Sequence, residues 1–530
     1  MTASTALAQV KEGLRSLGYV EGLVQENYQF VDFLSTNAVK TIPLAAFMQE
    51  PPSYRTVCFG VVEANGQSGQ SFVHSYRSLG APQIFEVTPE TIRRWRITAS
   101  SSPDLIDQAP IEHIPHLFRD HQQEWTPDII RQIRFSIPRG SQLDFFDAGL
   151  LPLLDYEISR KLDGVLNQTI ELAIEQYTGG AELPKREYPP LFRLIFRLLA
   201  AKLLADRKFA GNWSSSDVKE IIQNVDVHYF GKKRSLPIIT DEATQRVIWD
   251  RMQSFHFQNL SVDALAYVYE NTLVTQSDRK ALGIHGTPPA IAEYIVRHLP
   301  FEEIPEEDRR VFEPFAGCAS FLIAAMRRLG ELLPSSLTPS DRHRYFVEHL
   351  SGIELEDFAL EVANLSLMLA DYPNPNGWRL YGGDAFQSEI LGQELSNARV
   401  VLCNPPFENF SKEERVRYPN LGFVHKPAEI LSRVLSKPPT MLGFVLPRVF
   451  VSGRAYKAIQ ELLKQTYGSL EILALPDNVF KYSEADTVLL IASGQKTGTG
   501  RLTVGQVYEH DLERFYATFV PSRTKQLESA

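Results

Sequence analysis

Between about residue 276 and residue 500, short apolar runs alternate with amphipathic helical segments, and this alternation constrains the fold more than any other feature. The runs Val311-Phe-Glu, Leu350-Ser-Gly-Ile, Val401-Leu-Cys and Gly443-Phe-Val-Leu are each too short for a buried helix, and glycine or proline bounds them. Between them, segments such as Asp357 to Leu369 carry apolar residues at helical spacing. Strands that are apolar on both faces and joined by helices are satisfied by a parallel, doubly wound sheet with helices on each side. In such a sheet the loops at the carboxyl ends of the strands are where ligands sit.

Five segments fall at those ends. Thr287 precedes Pro288 and Pro289, which suits a helix start with Thr287 as its cap. Glu313-Pro314-Phe315-Ala316-Gly317 follows an apolar run as a tight turn into a helix, where backbone can approach a ligand closely. Glu354 ends the next run, placed to accept hydrogen bonds from ribose hydroxyls. Asp384 follows Gly382 and Gly383, a carboxylate suited to an adenine amino group. Last, Val401-Leu-Cys runs into Asn404-Pro405-Pro406-Phe407, where two prolines stiffen the loop. Taken singly, each also fits a bland reading: a capped helix, a glycine turn, or a strand ending in a Pro-Pro turn.

In this order the segments resemble the DNA adenine N6 methyltransferase (N-6 DNA methylase) family, nearest to the modification subunits of type I restriction systems and to type IIG enzymes. The resemblance covers roughly residues 260 to 495, and Tyr267-Val-Tyr-Glu270 resembles the family's helix leading into the first segment. It implies a Rossmann-like S-adenosylmethionine-dependent methyltransferase domain with cofactor contacts at Thr287, Glu313, Pro314, Phe315, Ala316, Gly317, Glu354, Asp384 and Asn404. Asn404, Pro405, Pro406 and Phe407 would be catalytic. An exocyclic amine conjugated to a ring is a poor nucleophile, because its lone pair is delocalised. The Asn404 side-chain oxygen and the Pro405 carbonyl would accept its hydrogens and localise that pair, with Phe407 stacking on a flipped base. No metal is required. The family turn usually carries a second glycine where this chain has Ala319, which is strained if its φ is positive.

The resemblance further implies double-stranded DNA as substrate. No target-recognition domain follows residue 495, so a separate specificity subunit is expected, and possible company from a restriction subunit. Readings still open are a non-catalytic methyltransferase-fold module of a defence complex, a combined restriction-modification subunit, and an RNA or protein-glutamine methyltransferase, since those last two use the same tetrapeptide.

Upstream, residues 1–150 read as a mixed α/β domain with a helix over Ala6–Leu17 and strands at Thr56–Val62, Ile84–Val87 and Trp95–Ile97; residues 151–275 read as helical, 276–500 as the methyltransferase domain and 501–530 as an extension. Type IIG enzymes carry a nuclease of the PD-(D/E)xK class at the first position. Such a site needs an upstream acid and then Glu-x-Lys, but Glu63-Ala64-Asn65 lacks the lysine, and the preceding run Ile42–Phe47 offers no acid. A nuclease-like domain without its metal site and an unrelated structural domain both fit. The clusters Arg93-Arg94-Trp95-Arg96 and Lys232-Lys233-Arg234 suit either phosphate contact or a solvated face.

Composition sets outer bounds. Three scattered cysteines indicate a reducing compartment and neither disulfides nor a zinc site. No apolar run spans a bilayer and the N-terminus has no signal core, so a cytoplasmic location without a membrane is expected. The net charge of −10 means that a DNA-binding surface is local or supplied by a partner.

Overall fold

The computed structural model describes residues 3–20, 22–64, 66–98, 102–135, 150–231, 237–260, 286–334, 337–387, 389–418, 420–477, 479–480 and 486–529. The chain forms two compact units: Met1–Thr272 with Leu333–Pro339 and Leu369–Pro375, and Leu273–Leu332 with Ser340–Met368 and Asn376–Ala530.

The first unit contains a six-stranded sheet in sequence order, β1 (Val24–Val31), β2 (Val39–Phe47), β3 (Val57–Glu63), β4 (Gln83–Val87), β5 (Thr91–Arg96) and β6 (Asp104–Pro110). Only the β3–β4 pair is parallel. The strands expected near residues 56, 84 and 95 are β3, β4 and β5, with β5 starting earlier; the expected first helix is Ala3–Ser16. The two central residues of the basic cluster on β5 are buried and paired within the sheet, while Arg93 and Arg96 are half-buried. Arg94 is buried, donates to Asp107 at 2.6 Å and lies over the Trp125 ring, while buried Trp95 donates its indole N–H to Glu86 at 3.0 Å. Sequence could not show this, because the carboxylates that neutralise the arginines sit on neighbouring strands. Lys232-Lys233-Arg234 and Tyr267–Glu270 lie outside the described residues, as does Asn65. The helices Leu150–Thr178, Tyr188–Asp206, Val218–Phe230 and Glu242–Gln253 belong to the same unit. Asn259 beyond them accepts from Tyr54 N–H at 3.0 Å and meets the Tyr28 hydroxyl at 3.1 Å, tying the helical segment to the sheet.

The second unit holds a nine-stranded sheet made of β7 (Val311–Glu313), β8 (Leu350–Glu354), β9 (Arg379–Gly382), β10 (Val400–Cys403), β11 (Met441–Pro447), β12 (Tyr467–Ala474), β13 (Thr487–Gln495), β14 (Gly500–Gln506) and β15 (Arg523–Ser529). Their order is β15-β14-β12-β13-β11-β10-β7-β8-β9. The five strands from β9 to β11 are parallel, as the alternation predicts. Beyond β11 the parallel run ends in a hairpin, as the apolar runs Leu470–Leu475 and Thr487–Ile491 on either side of a turn lead one to expect. There β13 runs antiparallel to both β11 and β12, and the residues after Gly494 supply β14 and β15. The cause is local: among the described residues no helix separates β12 from β13, so the chain returns as a hairpin.

β10 and β11 are buried along their whole length, which is why they read as continuous apolar runs. The chain leaves β7 towards β8 on one side and leaves β10 towards β11 on the other. That reversal opens a crevice at the carboxyl ends of the two central strands.

A glycine fixes the helix that leads into this sheet. Gly443 on β11 lies opposite Leu402 on β10, and a Cβ at Gly443 would fall 2.2 Å from Ile295 Cγ2. The helix Pro289–His298 therefore rests directly on the strand. It is held laterally to the helix Ser320–Leu332 by charge pairs. Arg297 bonds Glu293 at 2.9 Å and buried Glu331 at 3.0 Å, and Arg327 also pairs with Glu293. Gly443→Ala is expected to destabilise the protein by about 1–3 kcal/mol through overpacking; an unchanged urea midpoint would show that the helix is not seated by this contact.

Candidate active site

The turn after β7 is built against β8. Ala316 N–H donates to Ile353 O at 2.8 Å. A Cβ on Gly352 would meet Ala316 Cβ at 3.1 Å and Glu313 O at 3.2 Å, so the strand carries no side chain where the turn crosses it. Gly317 adopts φ 52° and Ala319 φ 70°. Ala319 is thus a buried L-residue in the left-handed region, the strained case that a second glycine would relieve.

Glu354, at the end of β8, closes the turn. Its Oε2 accepts Gly317 N–H at 2.7 Å and its Oε1 accepts Glu356 N–H at 2.9 Å. Burial pushes its carboxyl above the usual range, and these backbone donors oppose the shift. Each oxygen keeps acceptor capacity for a further donor such as a ribose hydroxyl. The next residue, Leu355, is 60% exposed, an apolar side chain just past the carboxyl end of β8. The sequence gives no sign of it, because leucine at a strand end reads as core.

Asp384 follows β9, where Gly383 N–H donates to Glu354 O at 2.9 Å. Its Oδ1 accepts Phe386 N–H at 2.9 Å and its Oδ2 accepts the Tyr418 hydroxyl. Burial, reinforced by this bond, pushes the Tyr418 phenol up to about 12. Phe386 packs against Phe315 and Phe410, with ring centroids 5.4 and 4.8 Å away, and carries the Arg433 guanidinium on its face. Tyr418 is a site residue that sequence reading missed, since no motif marks it.

Asn404 emerges from buried β10, and its Nδ2 donates to Thr287 Oγ1 at 3.1 Å. The expected cap at Thr287 does not form. Pro288 is the N-cap of Pro289–His298 and no side chain caps that helix. Two successive prolines shift the helix boundary one residue onward, leaving the Thr287 hydroxyl to the Asn404 amide. The thiol of Cys403, beside Asn404, is buried, and burial with the nearby Glu313 charge pushes it well above its usual value, so it is no nucleophile. Phe407 is half-buried. Beyond it the loop is tied down: Lys426 pairs with Glu408 at 2.6 Å and Glu414 at 2.8 Å, and Ser411 and Glu414 form a capping box.

The turn Glu313–Gly317, Glu354, Asp384, Thr287 and Asn404 therefore converge at the carboxyl ends of β7 to β10 within one unit. Bonds join Gly317 to Glu354, Gly383 to Glu354 and Thr287 to Asn404. A doubly wound sheet with a strand–turn–helix after β7 and an Asn-Pro-Pro-Phe loop after β10 defines a methyltransferase fold of the amino-nitrogen class. The chain belongs to the N-6 DNA methylase family, which matches residues 260–529.

Among solved structures the chain is similar to the DrdV–DNA complex, with 11% identity over 99% of this chain and 60% of that one and a TM-score of 0.47. It is similar also to the type IIG restriction endonuclease BpuSI, with 13% identity over 99% of this chain and 61% of that one and a TM-score of 0.46. A third is the type I restriction-modification methyltransferase subunit from Streptococcus thermophilus, at 15% identity over 66% of this chain and 87% of that one, TM-score 0.43. The chain spans about three fifths of the length of the first two. No curated protein matches it.

Two outcomes follow from the turn. Ala319→Gly should stabilise the fold by about 1 kcal/mol in urea titration, by relieving the left-handed alanine; a loss of stability would mean that the methyl packing outweighs the strain. Because burial raises the Glu354 pKa, protonation favours the folded state. That contribution is full below the ordinary glutamate value and is lost as pH rises through the elevated one. The stability of wild type relative to Glu354→Gln should therefore fall over that window, whereas a pH-independent difference would refute the shift.

Proposed function

We propose that this chain transfers a methyl group from S-adenosylmethionine to N6 of an adenine in double-stranded DNA, as the modifying component of a restriction-modification system. The observation that carries the reading is the disposition of Asn404: its amide nitrogen is engaged by Thr287 and its Oδ1 is the end left to accept from a substrate amine. Asn404 Oδ1 and the Pro405 carbonyl take the two N6 hydrogens and localise the lone pair, Pro406 stiffens the loop, and Phe407 stacks on the flipped base. Most of the acceleration comes from holding these acceptors in place.

The crevice fits the cofactor. An added Cβ at Gly317 would meet nothing within 4 Å, so backbone there faces open space. Glu354 receives ribose hydroxyls, Leu355 offers an apolar surface to the base, and Asp384, steadied by Tyr418, takes the adenine amino group; Glu313 to Gly317 and Thr287 complete the wall. When bound, S-adenosylmethionine supplies a sulfonium-activated methyl group.

The net charge of −10 favours a separate specificity subunit that brings most of the phosphate contacts, with a restriction subunit as a further partner in the cytoplasm. Residues 276–500 are proposed as the methyltransferase domain, 151–275 as a helical domain and 1–150 as a nuclease-like domain lacking its metal site. The last rests on β2 having no acidic residue and β3 ending in a lone Glu63.

The reading is tested by long-read sequencing of DNA from a methylation-free host that expresses the chain with its neighbouring genes. A new N6-methyladenine motif should appear and vanish in Asn404→Ala. Undiminished methylation in that variant would overturn the assignment.

A further inference from the structure

The side-chain amide of Asn404 has two unlike ends. Its oxygen accepts, its nitrogen only donates, and the target amine is itself a donor. Turned round, the amide would set N–H against N–H and the substrate would be repelled. The terminal torsion of asparagine is broad and roughly two-fold, so the side chain alone does not choose. The choice is made by what each end touches, and the nitrogen end touches Thr287 Oγ1 at 3.1 Å.

Thr287 is well placed to impose that choice. It is only 6% exposed, so water competes poorly for its hydroxyl. Pro288 and Pro289 follow it and fix the backbone, and the hydroxyl is not spent on capping the helix. The helix is in turn seated on Gly443 through Ile295 and clamped by Glu293, Arg297 and Arg327. A rigid chain of contacts thus runs from the sheet to the amide.

We infer that Thr287 is a positioning residue for methyl transfer: its hydroxyl holds Asn404 Nδ2 and so aims Oδ1 at the target nitrogen. This goes beyond the wall-forming role assigned to Thr287 above and rests on the methyltransferase reading. The isosteric Thr287→Val removes the acceptor, whereas Thr287→Ser keeps it. With the chain assembled with any subunits that transfer requires, Thr287→Val should lower the single-turnover rate at saturating S-adenosylmethionine by on the order of tenfold to a hundredfold. Thr287→Ser should recover most of that rate, and in Thr287→Val the loss of saturating rate should exceed the loss of cofactor affinity titrated calorimetrically. A weakened affinity with an unchanged saturating rate would overturn the inference in favour of a purely cofactor-binding role. So would a serine variant as slow as the valine one.

A second measurement needs no activity. If the two side chains act as a pair, the drop in thermal midpoint of Thr287→Val/Asn404→Ala should be smaller than the sum of the two single drops. Additive losses would show that the contact does not exist and would overturn the inference. Absence of transfer by the fully assembled wild type, with the midpoints still non-additive, would instead overturn the methyltransferase reading.

Discussion

The pairing of β7 with β10 is the constraint on which the rest of the second unit depends. It is short, Val311 and Phe312 against Val400 and Val401, yet the chain diverges from it in both directions. Glu313, Glu354, Asp384 and Asn404 all follow strands whose places in the sheet are counted outward from this pair. The turn of Glu313 to Gly317 and the loop of Asn404 are its two carboxyl ends. Glu354 and Asp384 are one and two strands further along, and Gly443 is one strand along on the other side.

Close approach between elements is achieved by omitting side chains. Gly352 lets the turn after β7 lie on β8, and Gly443 lets the helix behind Thr287 lie on β11. Ala319 departs from that economy, holding a left-handed conformation with a methyl group in place. The strain sits in the turn that Glu354 braces, so this half-buried carboxylate has a structural part in holding it.

Much of this was legible in the sequence because it is local. A strand, its terminal acid and the following turn are specified within a dozen residues, and so Glu313, Glu354, Asp384 and Asn404 stand at the carboxyl ends of the strands, where the apolar pattern puts them. What was illegible depends on distant partners. Thr287 was read as a cap because threonine before proline suits one, while its real partner lies 117 residues away. Tyr418 reaches Asp384 across 34 residues with no motif to announce it. The arginines of β5 looked exposed because Asp107 and Glu86, which neutralise them, lie on other strands. β1 and β6 escaped notice because they are the two edges of their sheet, where polar residues are tolerated.

The strand order also dictates how the unit comes into being on the ribosome. β7 is made first, then β8 and β9, which pair on one flank only. Its other flank is an open row of amides and carbonyls until β10 has been translated, some ninety residues after β7. During that interval the nascent chain presents a sticky central edge, and neither half of the Thr287–Asn404 contact has its mate. The Thr287–Asn404 contact thus waits on the fourth strand of the sheet to be made, and premature termination before Asn404 leaves a protein with both an exposed central edge and no such contact.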